Sequence, residues 1–139
     1  MEIIKAVNPT LGWIVENPRG KLRKLDLIDN DYLTTVWYCQ YGDTRMKPTD
    51  LWTTLIKKSS QNNGLSWVPR KMCKNGNTCH VSAPRGSTTG TQGIKGTYNR
   101  SKVPEELCAE IVQILKVIVD SCGYPDKPSY GFSRQTKLF

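Results

Sequence analysis

An acid and an amide stand where an apolar run ends. Leu11-Gly12-Trp13-Ile14-Val15 has the character of a buried strand, and Glu16, Asn17 and Pro18 follow it directly. Proline cannot donate to a sheet ladder, so we expect the strand to end by Asn17. In open α/β sheets, ligands bind beyond the carboxyl ends of strands. Glu16 is therefore a candidate for chemistry, and the alternative is a solvated loop acid.

Two cations form a second candidate site. Arg45 and Lys47 alternate along the chain, so on an extended backbone both side chains project to one face. A pair of cations on one face can clamp a phosphate or a base carbonyl. The alternative is a solvated edge strand with basic residues that discourage aggregation.

A third group of residues has the chemistry of metal ligands. Cys73, Cys79 and His80 lie within eight residues and could begin a zinc site. The fourth ligand would be Cys39 or Cys108, brought in by the fold. The odd number of cysteines, five, argues against a disulfide scaffold and favours reduced thiols. The alternative is a set of free thiols and a loop histidine.

The charge of the chain favours a polyanionic partner. The 139 residues have a formal net charge of +8, and nucleic acid is the commonest polyanion, although such a charge can also serve solubility alone. Glycines 86, 90 and 93 could free backbone amides that cradle a phosphate, or belong to a solvated loop. The candidate DNA-backbone contacts are Arg19, Lys21, Arg23, Lys71, Lys74, Arg85, Lys95 and Arg100.

These residues need a sheet and a helix to position them. Strands are predicted at 11–17, 34–39 and 49–54, where apolar, β-branched and aromatic residues concentrate. A long helix is predicted from Val103 to about Ser121, with Pro104 in its first turn and apolar residues at spacings of three and four. We expect an α/β fold with a mixed, incomplete sheet of three to five strands, one face or edge of it poorly covered.

The organisation along the chain is that of one domain of ordinary size. Residues 1–56 would form the core, beginning with the tail of a helix at 1–7. Residues 57–100 lack periodicity and would form a Gly-rich basic loop region, 101–122 the returning helix, and 123–139 a loose tail. No run of about 18 apolar residues and no secretory signal is present, so we expect no membrane span and a cytoplasmic protein.

Three motifs resemble the second half of phage-type DNA (cytosine-5) methyltransferases, in the same order, over residues 9 to 118. WIVENPRGKLRK resembles the family's strand that ends in Glu-Asn-Val or Glu-Asn-Pro. YCQYGDTRMKPTDLWT resembles its Tyr-Gly turn and Gln-x-Arg-x-Arg element, with Lys47 in place of the second arginine and no clear counterpart of the glutamine. RSKVPEELCAEIVQIL resembles its last Val-Pro-x-x-Leu segment, and the run PRGSTTGTQG is similar to the family's target-recognition region.

The resemblance implies roles for these residues. Glu16 would bind N3 of a flipped cytosine, Asn17 would hold the local backbone, and Lys47 or Arg45 would face O2. Val103 and Pro104 would pack against the S-adenosylmethionine site. The partner would be double-stranded DNA, and the fold would be the C-terminal part of a Rossmann-like methyltransferase domain.

The first half of the family pattern is missing from this sequence. It contains neither a Gly-rich cofactor loop after a leading strand nor a Pro-Cys element that would present the nucleophile. Cys39 precedes Gln40 but follows Glu16, the reverse of the family order, so a buried strand cysteine is the better interpretation. We therefore expect a C-terminal half that needs a complementing N-terminal chain for activity. The alternatives are a catalytically inactive module that binds DNA or protein, and a small zinc-stabilised structural domain.

Overall fold

The computed structural model combines a small antiparallel sheet with one long helix. It describes residues 6, 12–58, 60, 62–74, 76–83, 86 and 96–122. The strands are β1 (Ile14–Pro18), β2 (Leu33–Trp37) and β3 (Pro48–Thr53), and the helices are α1 (Thr97–Ser101) and α2 (Glu105–Ser121). Apart from residue 6, the predicted helix tail at 1–7 and the loose tail at 123–139 lie outside the described residues.

The strand order is β1-β3-β2, and both pairings are antiparallel. The predicted α/β class is confirmed at this level, and three strands fall within the expected number. The expected mixed sheet is not what the described strands form, and a Rossmann-like arrangement is not confirmed. A parallel pair needs a crossover of a dozen or more residues, whereas β2 and β3 are joined by the shorter segment 38–47.

Strand positions agree with the sequence prediction except at the ends. β1 runs through Pro18, which pairs with Thr49, because β1 is an edge strand whose outer side needs no donor. β2 ends at Trp37, and Tyr38–Tyr41 forms a 3-10 turn instead of continuing the strand to Cys39. Gly42 closes this turn with a φ of 82°, a left-handed conformation that glycine adopts readily.

The main core lies between one face of the sheet and α2. Val36 and Leu51 point to this face, and Leu107 and Ile118 of α2 pack against them. The predicted helix is confirmed, but it begins at Glu105 and not at Val103, so Pro104 is its N-cap and not a helical residue, and two glutamates lie in its first turn. Neither described helix has the length and apolar character that crossing a membrane would require.

The opposite face of the sheet contains an ion pair whose acid is buried and whose arginine is partly exposed. Asp50 is fully buried in β3, and the guanidinium of Arg23 donates to both of its carboxylate oxygens. Thr35 of β2 donates to the same carboxylate at 2.9 Å. Arg23 was predicted as a DNA contact. In the structure it belongs to the 3-10 turn Lys21–Lys24, and its bonds to Asp50 tie this turn to the sheet.

Candidate functional site

One end of the sheet collects the residues of the first two motifs. β1 and β2 both end there and β3 begins there, since both flanking strands run antiparallel to β3. The register pairs Pro18 with Thr49 and Trp37 with Pro48. Glu16, near the end of β1, and Lys47, just before β3, are therefore brought to the same end of the sheet.

Tyr38 lies between the acid and the lysine. Its hydroxyl donates to Oε1 of Glu16 over 3.2 Å, and Nζ of Lys47 lies 4.5 Å from the centre of its ring. Burial raises the pKa of Tyr38 far above its usual value, so the phenol stays protonated and can donate. Sequence reasoning missed Tyr38, whose only signal was an aromatic side chain at the predicted end of a strand.

Glu16 and Lys47 differ in their access to solvent. Glu16 is exposed, whereas Lys47 is 7% exposed and donates from Nζ to the carbonyl oxygen of Arg100 over 3.0 Å. Burial lowers the pKa of Lys47, and the charge of Glu16 opposes that shift. The site therefore combines a solvent-exposed carboxylate with a largely buried ammonium group, both in contact with Tyr38.

Arg45 is engaged on all sides of its guanidinium. It is 3% exposed, pairs with Asp43, and donates to the carbonyl oxygens of Asn99 and Arg100 over 3.1 and 3.2 Å. Burial opposes ionisation of Asp43, but the hydrogen bonds from Arg45 outweigh it and lower the Asp43 pKa. The sequence left open whether Arg45 or Lys47 serves the site. Both residues donate to the carbonyl oxygen of Arg100 in α1, and Nζ of Lys47 in addition lies over the ring of Tyr38.

The other predicted contacts lie around this end of the sheet or in the loop region. The side-chain amide of Asn17 donates to the carbonyl oxygen of Pro18 over 2.7 Å, so Asn17 holds local backbone. Arg85 and Lys95 lie outside the described residues. The described cations from the predicted set that are exposed to solvent are Arg19, Lys21, Lys71, Lys74 and Arg100.

An open pocket of about 510 Å³ lies where α2 begins. Val103 and Pro104, predicted to contact a cofactor, line it together with Gly42 and Asp43. Val103 is 39% exposed and Pro104 is buried. The Tyr-Gly turn of the second motif and the Val-Pro segment of the third therefore line the same cavity.

A separate cluster brings together three thiols and an imidazole. The ligand atoms of Cys39, Cys73, Cys79 and His80 all lie within 4.8 Å of one another, so the cluster could hold a metal ion. Of the two cysteines proposed as the fourth ligand, Cys39 joins the cluster. Cys108 lies on α2, where it is exposed.

Cys39 is a buried thiol in the 3-10 turn Tyr38–Tyr41, beside the other members of the cluster. Burial, together with the neighbouring thiols of Cys73 and Cys79, raises the Cys39 pKa to about 12 when no metal is bound. A thiol with so high a pKa supplies little thiolate at neutral pH. The sequence interpretation, a buried strand cysteine, is confirmed as to burial, but Cys39 lies in a 3-10 turn after the strand has ended.

No protein-family model matches the chain, and no curated protein or solved structure matches it. A functional assignment therefore rests on the motifs and on the geometry of their residues. Two groups of residues have a geometry that suggests a function. One is Glu16, Tyr38 and Lys47 at one end of the sheet, and the other is the Cys39–Cys73–Cys79–His80 cluster.

Proposed function

We propose that this chain is the C-terminal half of a DNA (cytosine-5) methyltransferase, which contributes contacts to the target cytosine and to DNA. The observation that carries the proposal is the convergence of Glu16 and Lys47 on Tyr38. These residues come from two separate motifs, and the proposed chemistry requires an acid and a cation at one place.

The chemistry explains the choice of residues. Attack of a thiolate on C6 of cytosine moves negative charge onto N3 and O2 of the ring. A carboxyl group at N3 and a cation near O2 stabilise that charge. Glu16 is exposed, so a base extruded from the duplex can reach it. Lys47 supplies the positive charge beneath it.

The proposal requires groups that this sequence does not contain. A complementing N-terminal chain would provide the Gly-rich cofactor loop and the attacking thiolate, and would complete a Rossmann-like domain around S-adenosylmethionine. The pocket lined by Val103 and Pro104 is where the two chains would share the cofactor. For zinc, the second cofactor expected from the sequence, the Cys39–Cys73–Cys79–His80 cluster offers suitable ligands. The protein would act in the cytoplasm, that of a bacterial host if a phage encodes it.

Binding of unpaired bases tests this proposal on the chain by itself. Fluorescence anisotropy would compare labelled duplexes that carry one cytosine, or one uracil, opposite an abasic site within randomised flanks. An unpaired base is the least costly to extrude, so the target sequence need not be known. We expect cytosine to be preferred by about tenfold, as for a well-formed pair of base contacts.

Glu16→Ala should abolish that preference. Asp26→Ala is the matched control, because Asp26 is another exposed acid and its loss changes the net charge equally. It should raise the affinity for both duplexes slightly and keep the preference for cytosine. Equal affinity of the unaltered chain for cytosine and uracil would contradict the proposed site.

A DNA-binding module without catalytic function is the second candidate. The observation that favours it is the exposed set of cations, Arg19, Lys21, Lys71, Lys74 and Arg100, in a sequence that lacks a Pro-Cys element. This candidate predicts a steep salt dependence of DNA binding with no preference between the two unpaired bases. The same anisotropy experiment therefore separates the two candidates.

A further inference from the structure

We propose that Cys39, Cys73, Cys79 and His80 form a closed, structural zinc site that fastens the loop region to the sheet. This inference goes beyond the proposed function and does not depend on DNA binding or methyl transfer. Its basis is the geometry of four side chains from two distant segments: the 3-10 turn Tyr38–Tyr41 and the loop 73–80.

Three of the four ligand atoms are spaced close to the edges of a zinc tetrahedron, and the fourth, Sγ of Cys39, lies within 4.8 Å of each of them. With Zn–S near 2.3 Å and Zn–N near 2.0–2.1 Å, tetrahedral angles place two sulfurs about 3.8 Å apart and a sulfur and a nitrogen about 3.6 Å apart. Sγ of Cys73 lies 3.4 Å from Sγ of Cys79 and 3.4 Å from Nδ1 of His80. Sγ of Cys79 lies 3.6 Å from the same nitrogen. A disulfide would require about 2.05 Å, so Cys73 and Cys79 are free thiols that a metal can bind.

The types and number of the ligands favour zinc as the metal and a structural role for the site. Three thiolates and one imidazole form a soft ligand set that suits zinc better than magnesium or calcium, which prefer oxygen. Structural zinc sites have four protein ligands, whereas catalytic sites have three and an open position for water. The four ligands here therefore favour a site that stabilises the fold.

Polar side chains around the cluster are placed to support thiolates. Nε2 of Gln40 lies 3.2 Å from Sγ of Cys79, and Nδ2 of Asn77 lies 3.7 Å from Sγ of Cys73. Amide donors of this kind orient metal ligands and stabilise their negative charge. Gln40 immediately follows Cys39, so the same turn supplies both a ligand and an outer contact.

Zinc would join the 3-10 turn Tyr38–Tyr41 to the loop 73–80 through one metal ion. Cys39 and Cys73 are buried beside Trp37 and Met46 in a small cluster separate from the main core. A backbone hydrogen bond from the amide of Val81 to the carbonyl oxygen of Thr44, 3.0 Å long, and the contact of Gln40 with Cys79 also lie near this point. Binding converts three thiols to thiolates with release of three protons, and the resulting metal–ligand bonds contribute directly to folding.

Metal content and a pair of cysteine variants test the site. Protein purified without chelator should contain one zinc per chain, measured by plasma mass spectrometry. Cys39→Ser should lose it, whereas Cys108→Ser should keep it, since Cys108 lies outside the cluster. Folded protein without metal, or loss of zinc in Cys108→Ser with retention in Cys39→Ser, would overturn the proposal.

Two further measurements distinguish loss of a metal site from simple misfolding of the Cys39→Ser variant. Cobalt added to the apoprotein should give the visible spectrum of a tetrahedral thiolate site, and His80→Cys should keep the metal while shifting that spectrum toward four sulfurs. Trypsin should cut after the exposed Lys71 and Lys74 much faster when zinc is removed. An octahedral cobalt spectrum, or cleavage rates that zinc does not change, would contradict a structural tetrahedral site.

Discussion

Arg45 has a structural role that its sequence context did not reveal. The sequence predicted a cation free to meet a ligand, yet Asp43 and two backbone carbonyls engage its guanidinium. The prediction could not anticipate this, because the carbonyls belong to residues 99 and 100, far along the chain. The spacing of Arg45 and Lys47 predicted that both side chains project to one face, and both donate to the carbonyl oxygen of Arg100.

Asp43→Asn should destabilise the protein at neutral pH. The change leaves a buried guanidinium without its counter-charge, which costs about 3 kcal/mol. Urea unfolding followed by tryptophan fluorescence measures the loss. Lys116→Ala, a change at an exposed residue on α2, is a control that should alter the free energy of unfolding by less than about 0.5 kcal/mol.

The effect of Asp43→Asn should depend on pH. The pKa of Asp43 is lowered in the folded state from its ordinary value of 3.8, so its contribution is fully present above that value. It is lost as the pH falls through the lowered pKa. The difference in unfolding free energy between the two proteins should therefore shrink in acid. A difference that stays constant down to pH values below the ordinary pKa would argue against the ion pair.

The metal ligands were partly predictable residue by residue. Cys73, Cys79 and His80 are close in sequence, so their spacing was enough to suggest a site. Cys39 was one of two alternatives, and only the packing of the 3-10 turn against the loop distinguishes it from Cys108. Tyr38 was not predicted, because its role depends on two partners that the sheet register brings together.

At the scale of elements, the local sequence pattern predicted which segments are helices and strands better than it predicted how the strands pair. The apolar stripe of α2 and the residues of β3 were placed within about two residues of their observed ends. The end of β2 was wrong because residues 38–41 tighten into a 3-10 turn that Gly42 closes. The antiparallel order was not predicted, since periodicity within a strand carries no information about its partners.

The contact between α2 and the sheet predicts a large effect of one substitution. Leu107 is 1% exposed within the main core, so Leu107→Ala should cost about 2–5 kcal/mol in unfolding free energy. Val112 lies on the same helix but is 48% exposed. Val112→Ala should therefore change stability by less than about 0.5 kcal/mol. Chemical denaturation of both variants checks this, and equal losses would mean that α2 packs through another face.

At the scale of the whole molecule, the net charge of +8 predicts DNA binding that weakens with salt. Each phosphate contact contributes about 0.9 to the slope of log K against log salt concentration. Lys71→Ala and Lys74→Ala should each reduce that slope by about 1. Lys116→Ala should leave it unchanged, because Lys116 is outside the predicted set. Slopes that none of the variants alters would exclude the loop lysines from the interface.

Methyl transfer to cytosine is the central claim of the proposed function. The direct measurement is bisulfite sequencing of DNA from cells that co-express this chain with the product of the upstream reading frame. We predict 5-methylcytosine at a recurring sequence, its absence when either chain is expressed alone, and its loss by two or more orders of magnitude with Glu16→Gln, as when a group that stabilises transition-state charge is removed. Absence of 5-methylcytosine from the co-expressing cells, or its persistence with Glu16→Gln, would contradict the account.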